Sequence, residues 1–124
     1  MAEEIQAADG MLAAVAGAEL EAIAEQIRAL RMRAGAVLER ARRDAALHRA
    51  RCRFRKQPGR VYHLYREPSG QLYFSLLSPD DWRGRPPHPF EGSYRLELDL
   101  SWTPAAEIAE RDRSRAASRR LLEP

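Results

Sequence analysis

His48 and Cys52 stand four residues apart, and His88 follows in a proline-rich segment. On a continuous helix, residues four apart share a face. An imidazole and a thiolate placed that way are two metal ligands, and His88 is a third candidate. A closed zinc site needs four, yet the chain holds one cysteine and three histidines, so Asp44, Asp99 or water would have to complete it. The alternative favoured here is packing: His48 and Cys52 as helix-face residues beside a sheet, the histidine hydrogen-bonded to backbone. No metal site is assigned on spacing alone.

Two further residue sets carry binding chemistry. Arg49, Arg51, Arg53, Arg55, Lys56 and Arg60 form an acid-free run with Phe54 inside it. Six phosphate contacts would give a log-log salt slope of about −5, so nucleic-acid binding is one class of function. No nucleic-acid motif accompanies the run, and a solvated helix end explains it equally; Asp80 and Asp81 would repel phosphate on the same face. The other set is aromatic. Tyr and Trp dominate binding hot spots, and Tyr62, Tyr65, Tyr73, Trp82, His88 and Trp102 are the candidates for recognising a protein partner, provided they are exposed. Ser69, Ser75, Ser78 and Ser101 suit turn, strand or capping roles, and none lies in a nucleophile elbow. There is no phosphate loop and no dinucleotide fingerprint. No catalytic residue and no cofactor is therefore assigned, and an enzyme is the less favoured class.

The elements that would position these residues divide the chain in two. All nine aromatics lie between Phe54 and Trp102, whereas the first 53 residues contain neither an aromatic nor a proline and are dense in helix formers. Leu20, Ile23, Ile27, Leu30, Ala34, Val37 and Ala41 recur at alternating spacings of three and four, a coiled-coil seam that fails at Asp44. Leu38 widens the stripe toward that of a helix packed on a sheet. Gly10, Gly17 and Gly35 each cost about 1 kcal/mol in a helix interior, so the helix is predicted to be firm over residues 18–53. Charge is polarised along it: six acids and no base from Met1 to Ile27, twelve bases and two acids from Arg28 to Arg60. Such polarity suits the macrodipole, and it also suits two arms running antiparallel. In a parallel dimer Glu19, Gln26, Arg33 and Arg40 would face Ala24, Arg31 and Leu38, with no opposite-charge pair.

The aromatic unit reads as three strands. Val61–Glu67 and Gln71–Leu77 form a hairpin about Pro68-Ser69-Gly70, with apolar side chains on both faces. Ser93–Leu100 alternates Tyr94, Leu96, Leu98 and Leu100 with polar residues. Ser78-Pro79-Asp80-Asp81 signals a capped helical turn presenting Trp82, and Thr103-Pro104 repeats the device before a last helix. No run approaches the ~20 apolar residues of a membrane span. The lone cysteine excludes an internal disulfide and fits a reducing compartment, and neither a secretory signal nor a transit peptide is read at the N-terminus.

An ordered string of residues carries a resemblance beyond composition. Arg43-Asp44-Ala45, Leu47-His48, Cys52, Pro58-Gly59, Tyr62, Leu64-Tyr65, Ser69-Gly70-Gln71, Tyr73-Phe74-Ser75, Ser78-Pro79, Trp82, Pro87-His88, Phe90, Gly92, Tyr94 and Asp99-Leu100-Ser101-Trp102-Thr103-Pro104 resemble a domain-of-unknown-function family. That family is typified by an uncharacterised human protein named only as a chromosome one open reading frame. The likeness runs from about Ile23 to Glu110, and this chain carries more arginine. The resemblance implies a domain boundary and no assigned activity, cofactor or catalytic residue.

The resulting expectation is an α+β fold in which a long N-terminal amphipathic helix and a short C-terminal helix pack with a three-stranded antiparallel β-meander. Residues 1–17 are expected to be a flexible segment and 18–110 a single domain. That domain comprises the helix 18–53, the aromatic unit 54–102 and a helix start at 104–110; residues 111–124 are expected to be a frayed basic tail. The expected role is a small cytoplasmic or nuclear interaction module. A protein is the expected partner, with self-association through the helix. Nucleic acid is the alternative, no membrane partner is expected, and a metal or enzyme site at His48, Cys52 and His88 comes last.

Overall fold

A computed structural model describes residues 1–124. The order of elements is helix α1 (Ala2–Arg49), strand β1 (Val61–Arg66), β2 (Leu72–Ser75), a 3₁₀ turn (Pro79–Trp82), β3 (Phe90–Leu96), β4 (Trp102–Pro104), a second 3₁₀ turn (Ala105–Glu107) and α2 (Ile108–Leu122). The chain divides into two units, Met1–Arg42 and Arg43–Pro124. No helix is long and apolar enough to cross a membrane.

The first unit is helical throughout. The helix starts at Ala2 and ends at Arg49 instead of spanning residues 18–53, because two glycines in an alanine-rich stretch cost too little to stop it. Glu3 and Glu4 lie in its first turn, His48 and Arg49 in its last, each sign where the macrodipole favours it. Within Met1–Arg42 no side chain is buried, and Leu20, Ile23, Ile27, Leu30 and Val37 are all exposed.

The second unit is an antiparallel sheet in the order β2-β1-β3-β4. It has four strands, not three. The hairpin keeps the predicted faces: Leu64 opposes Phe74, and Tyr65 opposes Tyr73. Gly70 turns it at φ +89°. The third strand sits earlier than expected, Phe90–Leu96, and the segment predicted to extend it to Leu100 is a turn in which Leu100 takes φ +69°. Asp99 holds that turn by accepting hydrogen bonds from the Ser101 amide and hydroxyl. The chain then returns as β4, so Thr103 is a strand residue and does not cap a helix.

One face of this sheet is the core. Tyr62, Leu64, Phe74, Leu96 and Trp102 pack with Leu47, from the last turns of α1, and with Ala50. Trp102 stacks on Phe74 at 4.8 Å between ring centroids, and Tyr62 meets both rings edge-on. Lys56 lies over Phe74 and Trp102, 5.7 and 5.6 Å from their centroids, where its cation meets the negative ring faces.

Between Leu64 and Tyr65 the β1–β3 register shifts at a bulge, and Gly92 sits opposite with φ +133°. A Cβ there would lie 3.2 Å from the Tyr94 ring. Gly92→Ala therefore adds backbone strain to a close contact. The expected loss is about 1–3 kcal/mol in urea unfolding, and an unchanged midpoint would show that the bulge relaxes freely.

Candidate functional site

The second face of the sheet carries a buried ion network, and the β2 edge borders an aromatic cleft. At the β3–β4 end, Glu97 is only 4% exposed. Its carboxylate accepts hydrogen bonds from Arg95 at 2.7 Å, Thr103 at 2.7 Å and Arg115 at 2.9 Å. Burial pushes its pKa up, but those three bonds and the Arg95 charge outweigh burial and hold it below the ordinary glutamate value. Arg95 also grips Asp112 through two bonds of 2.9 and 2.8 Å, and Arg111 donates to Thr103 at 2.7 Å. Residues 111–122, predicted as a frayed tail, are thus the body of α2, and three of them fasten it to the sheet. Every polar atom at the centre is already partnered, so this network is structural.

At the other end the hairpin edge opens into a cleft of about 460 Å³. Phe54, Phe74, Tyr73, His88, Leu76 and Leu77 line it, together with Arg51 and Arg53. Tyr73 and His88 are joined at 2.5 Å between the hydroxyl and Nδ1. Burial, with Glu67 nearby, pushes the Tyr73 hydroxyl pKa up. Tyr65 stacks against Tyr73 at 5.7 Å and donates to the Leu77 carbonyl at 2.7 Å, tying down a segment that lines the cleft. The Ser78–Asp81 capping box follows as predicted, and it presents Trp82, 39% exposed, on the surface.

The two edges of the sheet differ. At β4 the outward amide and carbonyl of Trp102 are taken by side chains: the amide donates to Asp44 at 3.3 Å, and Arg43 donates to the carbonyl at 3.1 Å. At β2 the outward groups are met only by Arg51, whose amide donates to Leu72 and whose carbonyl accepts from Phe74, both at 2.9 Å. Beyond Arg51 the chain turns away. By strand alternation the Phe74 carbonyl points outward like its amide, and it has no backbone partner.

The predicted site residues separate on this frame. Tyr73 and His88 line the cleft and Trp82 is exposed, but Tyr62, Tyr65 and Trp102 are each 1% exposed, so the exposure asked of them is not met and they are core. His48, Cys52 and His88 do not converge, and no group of three potential metal ligands exists. The helix ends before Cys52, which breaks the assumed shared face. His48 pairs with the Leu100 carbonyl at 2.6 Å, and the Cys52 thiol donates to the Phe54 carbonyl at 3.0 Å. In the basic run Arg51 is paired with Glu67 at 3.0 Å, and Lys56 is turned over the core rings. Arg49, Arg53, Arg55 and Arg60 are exposed. Missed by sequence reasoning were Arg51 as a strand partner and Leu76-Leu77 as cleft lining; the apolar residues on both hairpin faces were the signal for the latter.

The whole of the chain, residues 1–124, matches the model of a family described as "Protein of unknown function (DUF2452)". The chain belongs to this family. Among DUF2452 relatives, an uncharacterized protein of Caenorhabditis elegans is 42% identical over 125 residues, covering 99% of this chain and 67% of that protein. No solved structure matches this DUF2452 chain.

Proposed function

We infer that the sheet unit is a peptide-binding module which takes an extended segment of a partner protein along the outer edge of β2. The carrying observation is the edge itself: only Arg51 pairs with the outer side of β2, and the outward Phe74 carbonyl is left without a backbone partner beside the cleft. Strand addition supplies affinity through such main-chain bonds and specificity through pockets for alternate side chains. Phe54, Leu76 and Leu77 offer an apolar pocket. Glu67 is already engaged by Arg51, which leaves Arg53 as the uncompensated charge lining the cleft. The fitting ligand is an extended peptide alternating apolar and acidic residues. An open strand edge beside an apolar cleft supports an intracellular adaptor or assembly role.

The test is fluorescence polarisation with two labelled eight-residue peptide pools, one alternating apolar residues with glutamate, the other apolar residues with lysine. The glutamate pool is expected to bind at least about tenfold more tightly, a difference of ~1.4 kcal/mol. Arg53→Glu is expected to erase that preference, and Leu76→Pro, which removes the amide an added strand would need just past the end of β2, to abolish binding with the melting temperature unchanged. Equal binding of both pools, or full binding by Leu76→Pro, would overturn the reading.

A further inference from the structure

We propose that α1 is the dimerisation element of this protein, pairing with a second copy in antiparallel orientation through the seam from Leu20 to Ala41. The helix is continuous over these residues, yet Leu20, Ile23, Ile27, Leu30 and Val37 remain 45–65% exposed. Only two ion pairs within one turn support it, Glu25–Arg28 and Glu39–Arg42. A helix that exposes an apolar stripe on this scale normally covers it by packing.

Charge fixes what covers it. The heptad assigns Leu20, Ile27, Ala34 and Ala41 to a, and Ile23, Leu30 and Val37 to d. In an antiparallel pair each a layer meets a d layer, and flanking g positions meet g while e meets e. Laying the seam back on itself sets Leu20 against Val37, Ile23 against Ala34 and Ile27 against Leu30, each pair occurring twice by symmetry. Six of the seven seam residues are then matched. The same register brings Glu19 to Arg40 on the partner, also twice, and Gln26 to Arg33, with no like-charge contact. It further sets Leu38, 56% exposed, against Gly17, whose missing side chain leaves open space for the residue that widens the stripe. Sliding one heptad in one direction places Arg31 on Arg31 and Arg33 on Arg33. Sliding the other way keeps only Leu20, Ile23, Ile27 and Leu30 paired within the seam. A parallel pair gains no opposite-charge contact at all. The occupant that fits is a second copy of this chain, reversed.

The experiment is sedimentation equilibrium of the full chain and of charge variants. The wild type is expected at twice the 14.1 kDa of one chain at ~100 μM. Glu19→Arg and Arg40→Glu each convert two attractive contacts into repulsive ones, so each alone is expected to weaken the dimer on the order of tenfold in low salt. An equimolar mixture of these two variants is expected to restore wild-type affinity, because the mixed pair regains both attractions. In a parallel dimer positions 19 and 40 would lie about 30 Å apart, and mixing would restore nothing. Ile27→Asp combined with Leu30→Asp is expected to give one-chain mass with near-ultraviolet dichroism of the sheet unit unchanged. A one-chain mass for the wild type overturns the proposal. So does a mixture no tighter than its components, or a dimer abolished by Leu76→Pro but kept in the Ile27→Asp, Leu30→Asp variant, which would place association at the β2 edge.

Discussion

Replacing Trp102 by alanine is expected to remove about 3–5 kcal/mol of stability, the usual cost of deleting a large buried aromatic, and for a unit of this size to lower the melting temperature by more than ~10 °C. Trp102 is 1% exposed, and Phe74, Tyr62, His48 and Lys56 all meet its ring. Its backbone also closes the β4 edge through Asp44 and Arg43, and those bonds survive substitution, so the loss isolates the side chain. Phenylalanine provides the contrast. The Trp102 indole nitrogen is buried without a hydrogen-bond partner, a group that costs about 1–3 kcal/mol to bury. Trp102→Phe keeps the stack and removes that orphan, so it is expected to fall within ~2 kcal/mol of wild type. Equal losses for the two variants in urea melts would show that ring size, not stacking, governs this position.

Glu97→Ala is expected to cost about 3 kcal/mol, at the low end for breaking a buried ion pair, because Arg95 retains Asp112 and Arg115 is 43% exposed. The same residue makes stability depend on pH. Burial raises the Glu97 pKa and its hydrogen bonds more than reverse this, leaving the folded value below the unfolded one. Such a group binds fewer protons folded than unfolded. Its contribution is therefore complete above the unfolded value near ~4.3 and is lost as pH falls through the depressed folded value. The Asp112 carboxyl, held low chiefly by its bonds to Arg95, acts in the same direction. The urea midpoint of the wild type is expected to drop between pH 6 and pH 3, and that of Glu97→Gln to drop less. Parallel profiles would assign the acid sensitivity to other carboxylates.

What could be read from the sequence was whatever side-chain alternation or spacing declared. That Tyr62 and Leu64 share one face of β1, and Leu72 and Phe74 one face of β2, follows from period two in a hairpin whose turn contains Pro68 and Gly70. The Ser78 cap follows from residue types with one physical use. The fourth strand was hidden because Leu100 adopts a left-handed conformation without a glycine to signal it, and because Thr103-Pro104 reads as a helix start although Thr103 is buried against Glu97. Asp44 interrupts the coiled-coil seam for a reason no periodicity contains: its carboxylate accepts the Trp102 amide from 58 residues away. The cleft was legible only in part. Tyr73 and His88 stood out as residue types, whereas the open edge beside them depends on Arg51 leaving the helix and entering the sheet, a long-range pairing with no local signature.

The inequality of the two sheet edges also bears on how copies of this protein behave when concentrated. Polymerisation by strand exchange needs each molecule to offer two adhesive borders, as an open sheet does when it grows into a fibre. Here one border is sealed by Arg43 and Asp44 and only the β2 side is receptive. Two sheets that met there would present sealed borders outward on both sides. Growth through the sheets themselves would stop at a pair, so the open binding edge does not by itself extend a sheet from molecule to molecule.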